Sequence, residues 1–224
     1  GGSLALALRG RCSMLLGIDQ DPATLALARE KNIVDRCSDD PGKLLPMADL
    51  VILALPVRSI LAALQALPQL HPGAALVLDL GSTKAEVVKA MQQLPSRFEP
   101  LGGHPMCGKE QSSLFFAEAG LFQGAAFIFT PLETTTERVK QLASDLAEGV
   151  GAVPLWLDPE LHDHWVASTS HVPYLASNAL AAITPLEAAS LVGSGFRSAT
   201  RLAPSSLPMM MDIIMTNRQN ILQH

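Results

Sequence analysis

Short apolar runs alternate with stretches of helical spacing over the first two-thirds of the chain. Residues 13–19 (SMLLGID), 50–55 (LVILAL, closed by Pro56), 74–80 (AALVLDL), 126–130 (AFIFT) and 153–157 read as strands. The spacing between them predicts helices over 22–31, 57–67, 84–94 and 134–149. Asp21 and Pro22 are a start signal for the first of these. The carboxylate can cap free N–H groups, and proline lacks an N–H where none is needed. Residues 100–103 read as the approach to a loop. Unbroken apolar strands must be covered on both faces, and the intervening helices supply that cover. With right-handed crossovers the expected fold is α/β, a doubly wound parallel sheet. Gly1-Gly2-Ser3 runs straight into Leu4-Ala5-Leu6-Ala7-Leu8 with no strand ahead of it, so the sheet is expected to lack its first strand.

The pattern changes after Asp158. Residues 159–183 read as one long helix with few charges, followed by helices over 185–192 and 209–224. This predicts two units, 1–158 for the sheet and 159–224 all helical. The apolar surface of the second unit calls for a partner.

Composition narrows the function. Lys+Arg 16 against Asp+Glu 21 leaves a net charge of −5, without the basic stripe that nucleic acid or an anionic membrane requires. Residues 165–186 carry no formal charge, yet Ser168, Thr169, Ser170, His171, Pro173, Asn178 and Pro185 make them a poor membrane span. No basic segment precedes the apolar start, so no signal peptide is expected. Cys12, Cys37 and Cys107 are odd in number and scattered, which predicts a reducing, cytoplasmic setting and no metal site.

Several residues can carry chemistry. Asp19 ends a strand about 20 residues beyond where a phosphate-binding glycine loop would close, with Gly1 as its last glycine. A carboxylate there binds a ribose hydroxyl and repels a 2′-phosphate, favouring NAD over NADP; the plain alternative is a turn-forming aspartate. Gly81-Ser82-Thr83-Lys84 follows a strand, where Ser82 can donate to a ligand or, with Thr83, simply cap the next helix. His104 lies between Gly102-Gly103 and Gly108, with Glu110 six residues on, and can serve as a base near neutral pH. Cys107 shows no sign of activation and reads as packing. His162 and His164 read as a solvated or capping helix start. On a straight helix His162 and His171 would point about 180° apart. His171, in an apolar stretch, is a candidate functional residue. Arg197 and Arg201, four apart, share a face if that segment is helical, and either can grip a carboxylate with its planar fork or form a surface ion pair.

Taken in order, Gly1-Gly2-Ser3, Asp19, Gly81-Ser82-Thr83-Lys84, His104-Pro105-Met106-Cys107-Gly108 with Glu110, His162-Asp163, Ser170-His171-Val172-Pro173 and Gly195-Phe196-Arg197 to Arg201 resemble the prephenate/arogenate dehydrogenase family of tyrosine biosynthesis. The resemblance implies a Rossmann-like NAD-binding domain, N-terminally truncated, and a helical dimerisation domain, C-terminally truncated. It implies oxidative decarboxylation of prephenate to 4-hydroxyphenylpyruvate, with arogenate as the alternative substrate. By the same resemblance His104 is the base, Ser82 orients substrate and nicotinamide, and Arg201, His171 and Glu110 meet the substrate. Gly1, Gly2, Ser3, Asp19 and Ser82 would hold NAD, the chain would form a homodimer, and the truncated chain is expected to be inactive as it stands. Two rivals remain. A hydroxy-acid dehydrogenase would want a lysine with Asn178 on the long helix, and none lies between Trp165 and Leu186. A non-catalytic module would bind NAD or an aromatic ligand without turnover.

Overall fold

The computed structural model describes residues 1–108 and 113–224. Helix α1 (Gly2–Leu8) leads to β1 (Leu16–Ile18), α2 (Pro22–Glu30), β2 (Arg36–Ser38), α3 (Pro41–Leu44) and β3 (Leu50–Leu53). Then come α4 (Val57–Leu70), β4 (Ala75–Asp79), α5 (Ala85–Met91), β5 (Phe98–Pro105), β6 (Ala126–Thr130), α6 (Glu137–Gly149) and β7 (Val153–Trp156). Asp21 caps α2 by accepting from the N–H groups of Ala23 and Thr24, with Pro22 at the first helical position.

Strands β3 to β7 form one sheet in that order, and β1–β2 form a separate parallel pair. Helix α1 stands near the end of β3, where a Cβ on Gly1 would lie 3.4 Å from that of Ala54. Strand β4 shows why the sheet is covered twice. Ala75 and Val77 join the core formed with Val57, Ile60, Leu64 and Leu67 of α4 and Val87, Val88 and Met91 of α5. Leu76 and Leu78 face the other way, onto Leu4 of α1 and Val139, Ala143 and Ala147 of α6. Alternate residues on a buried strand serve opposite layers, so the apolar run is continuous rather than alternating. The α/β class expected from the sequence therefore holds, with one refinement: β5 and β6 pair antiparallel.

The glycine-rich segment is not a loop. Gly102, Gly103 and His104 lie within β5, paired with Thr130, Phe129 and Ile128. The glycines serve close packing, not flexibility. A Cβ on Gly103 would fall 2.7 Å from the Asp79 carbonyl oxygen and 2.8 Å from Leu78 Cδ1, and one on Gly102 2.1 Å from Thr130 Oγ1.

The helical part also departs from expectation. Residues 159–183 are α7 (Pro159–Val166), a π turn (Ala167–His171) and α8 (Val172–Ile183). The Val172 N–H reaches back to the Ala167 carbonyl, one residue beyond the α-helical partner, and Pro173 offers no N–H to restore the tighter ladder. The extra residue slips the helix phase by about 100°, so His162 and His171 no longer point opposite ways. Residues 185–192 form only a 3₁₀ turn (Leu186–Leu191), followed by α9 (Ser194–Ala199). The last expected helix is two, α10 (Leu207–Thr216) and α11 (Arg218–Gln223), broken at Asn217.

Candidate active site

Strands β3, β4 and β5 run parallel, so their carboxyl ends share one edge. Asp79 ends β4 there, and His104 lies one residue from the end of β5. Helix α7, the π turn and the α10–α11 break pack over this edge. Asp163 of α7 is fastened to the sheet domain: its Oδ1 accepts from the Lys84 N–H (2.7 Å) and its Oδ2 from that of Ala85 (2.9 Å). These are free N–H groups at the start of α5, so the cap comes from the helical unit, not from Ser82 or Thr83. The Thr83 hydroxyl is instead hydrogen-bonded to that of Thr216 at 2.9 Å.

A line of side chains runs through the junction. His104 Nδ1 lies 2.9 Å from His162 Nε2, and His162 Nδ1 lies 2.8 Å from Asp163 Oδ1. His162 and Asp163 are buried, and His104 is half-buried. Removal from water holds the His104 pKa well below the ordinary imidazole value, and His162, Lys84 and His171 add to the depression. The ring is neutral at neutral pH and can accept a proton.

Lys84 supplies a fixed cation behind this line. Its ammonium is fully buried, donating to the Asp79 carboxylate and to the Gly103 carbonyl oxygen (2.8 Å). Burial lowers its pKa while Asp79 and Asp163 oppose that. Asp79 also accepts from the N–H groups of Gly103 (3.1 Å) and Gly81 (2.8 Å). One carboxylate thus ties β4, the Gly81 turn and the residue preceding His104 together.

Asn217 completes the cover. Its amide nitrogen donates to the Asp163 carbonyl oxygen (2.7 Å) and meets His171 Nδ1 at 3.1 Å. The amide oxygen accepts from Asn220 (2.7 Å), which sets the orientation of the group. An amide N–H can only donate, so His171 Nδ1 is the acceptor and Nε2 carries the hydrogen. Burial pulls the His171 pKa down to about 4; Asp163 opposes this and His162 adds to it. His171 is therefore a neutral N–H donor.

The expected site residues divide into those the structure gathers and those it leaves apart. His104 and His171 share the junction. Ser82 is half-buried in the turn after β4. Gly1, Gly2 and Ser3 begin α1, and Ser3 Oγ accepts from the Glu118 N–H at 3.3 Å. Asp19 lies just past β1, close enough to the Gly1 amine to oppose the lowering that burial gives its pKa. Its Oδ1 accepts from the Asp21 N–H (2.9 Å), and Oδ2 makes no hydrogen bond among the described residues. Arg201 is exposed in the turn after α9. Glu110 lies outside the described residues. The expectation of a solvated or capping His162 fails, since the ring is fully buried between His104 and Asp163. Asp79, Lys84, Asp163 and Asn217 went unread as site residues. The signal for the first two was an Asp ending an apolar strand with a Lys five positions on.

The fold is thus a nucleotide-binding type of α/β domain joined to a helical unit that closes its carboxyl edge. A model described as "Prephenate dehydrogenase, nucleotide-binding domain" matches residues 4–155, and "Prephenate dehydrogenase, dimerization domain" matches 158–224. The chain belongs to the prephenate dehydrogenase family. It is 34% identical to a prephenate dehydrogenase of Bacillus subtilis over 99% of its own length, and spans 62% of that relative. It is also similar to the crystal structure of prephenate dehydrogenase from Aquifex aeolicus in complex with hydroxyphenyl propionate and NAD+ (30% identity, TM-score 0.90, 99% of this chain and 80% of that one). A Synechocystis arogenate dehydrogenase structure is similar at 30% identity and TM-score 0.83, over 100% of this chain and 82% of that one.

Proposed function

We propose that this protein performs the NAD-linked oxidative decarboxylation of prephenate to 4-hydroxyphenylpyruvate. The observation that carries the proposal is a neutral histidine, His104, backed by His162 and Asp163 at the edge where the helical unit closes the sheet. Residues 1–158 form the dinucleotide-binding domain and 159–224 the substrate and dimerisation domain. The residues fit NAD: the free Oδ2 of Asp19 suits a ribose hydroxyl, and the α1 N-terminus beside Gly1, Gly2 and Ser3 suits a pyrophosphate. When bound, NAD supplies the hydride acceptor for the substrate's ring C4.

His104 removes the proton of the C4 hydroxyl. Breakage of the bond between C1 and its carboxylate then sends an electron pair into the ring, which becomes aromatic. The resulting phenolate oxygen recovers a proton from His104. Ser82 orients the reacting end of the substrate, His171 donates its Nε2–H, Arg201 holds a substrate carboxylate, and Glu110 serves as a gate or tuning residue at the substrate site. Aromatisation supplies driving force, so the protein mainly positions and polarises.

The working form we propose is a cytoplasmic homodimer. Ile183 (77% exposed), Leu186 (90%) and Leu191 (84%) leave large apolar side chains exposed on the helical unit, which a second copy would cover. All three cysteines are free, which suits a reducing compartment. Among the described residues no helix is long and apolar enough to cross a membrane.

The test is NADH formation with prephenate and with arogenate, each with NAD and NADP. Turnover of prephenate that falls about 10²–10⁴-fold in His104→Asn supports the proposal. Turnover that survives the substitution removes His104 from its role, and turnover of arogenate alone reassigns the substrate.

A further inference from the structure

A histidine acts as a base only through a nitrogen that carries no hydrogen, and which nitrogen that is depends on what the other one bonds. The contacts around His104 bear on the matter from the far end. Asp163 already accepts backbone N–H groups on both oxygens, from Lys84 and Ala85. A carboxylate has only acceptors, so the 2.8 Å contact with His162 places the hydrogen on His162 Nδ1. A neutral His162 then has a bare Nε2, and its 2.9 Å contact with His104 Nδ1 needs a hydrogen on His104. That leaves His104 Nε2 bare, and it has no hydrogen-bond partner among the described residues.

We propose that His162 and Asp163 are positioning residues that hold His104 in the tautomer with Nδ1 protonated and Nε2 free to take the substrate's proton. The donor chain runs one way, from His104 to His162 to Asp163. Charged or titratable groups face His162. The fixed positive charge of Lys84 lies behind the cluster, and His171 faces it from the π turn with its own hydrogen directed to Nε2 by Asn217. Asp79 is tied to Lys84 and Gly103, and the Asp163 carboxylate contacts the His162 ring. Asp163 also caps α5, which couples the docking of the helical unit to the state of the base.

The kinetic part of this inference rests on the proposed function, whereas the tautomer does not. The experiment is therefore nitrogen-15 NMR of histidine-labelled protein, together with kcat and KM, on wild type, His162→Gln and His162→Leu. Glutamine can place an amide oxygen near the position of Nε2 and accept from His104; leucine cannot. Wild type should show His104 protonated at Nδ1, His162→Gln should keep that form, and His162→Leu should shift it toward Nε2–H. Turnover should fall about 10²-fold or more in the leucine variant with KM little changed, and glutamine should restore most of it; a wrong tautomer can cost a catalytic histidine up to about 10⁴. A wild-type His104 protonated at Nε2, or a leucine variant with an unchanged tautomer, would overturn the inference. The expected tautomer in a protein that turns over neither prephenate nor arogenate would instead sink the proposed function and leave this inference standing.

Discussion

Replacing His171 with asparagine removes a proton-binding group whose energetic consequence can be worked out from its surroundings. The ring is 1% exposed, and burial holds its pKa at about 4 against an ordinary 6.5. In the unfolded chain it protonates near the ordinary value, so between the two the unfolded state binds the additional proton. Stability is intact above pH 6.5 and is lost as pH falls toward 4. The gap is about 2.5, from 6.5 less about 4, and at about 1.4 kcal/mol each it amounts to roughly 3 kcal/mol once pH 4 is reached. Most of the loss is already present by pH 5, where the linkage amounts to roughly 2 kcal/mol. Asparagine offers an oxygen where Nδ1 stood, so Asn217 keeps an acceptor, but it does not titrate. Equilibrium urea unfolding of both proteins across pH 7.5 to 5 is the assay. Wild type should lose roughly 2 kcal/mol more than the variant over that range, whatever their offset at pH 7.5. Parallel curves would refute the reasoning, because a ring buried neutral beside His162 cannot fail to couple folding to its proton.

Asp19→Ser should relax discrimination against NADP, measured as the ratio of kcat/KM for the two cofactors; an unchanged ratio would remove Asp19 from the ribose site. Arg201→Ala should raise KM for the substrate by about tenfold or more with a smaller change in kcat, as expected for a lost charge-assisted hydrogen bond. Gly103→Ala places a methyl group against the Asp79 carbonyl and Leu78, and should lower stability in urea by about 1–3 kcal/mol. A neutral result would mean that β5 can move away from β4 without cost.

The sheet domain was readable because its signals are local. Asp21-Pro22 marks a helix start, and the spacing Val57, Ile60, Leu64, Leu67 marks a buried helix face; each lies within a few residues. Strand β6 has the predicted bounds, since nothing in AFIFT competes with the apolar run. Strand β5 escaped because Pro100, Gly102 and Gly103 are weak strand formers taken alone. Their place in the sheet follows from what approaches them, Asp79 on one side and Thr130 on the other. The long helix was misjudged for a similar reason, as a single widened turn rotates everything after it.

His104 was legible as a candidate base from its residue type and its glycines. Its working partner was not, because His162 lies 58 residues away and looks like the start of an exposed helix. Lys84 meets Asp163 across 79 residues, and Asn217 meets it across 54. By itself the sequence determined the alternation of elements and the identity of the groups able to carry a proton. Tertiary structure alone decided which of them touch, which are dry and which nitrogen is bare. Helix and strand patterns depend on neighbours within a few residues, whereas desolvation and hydrogen-bond direction depend on whatever the fold brings alongside.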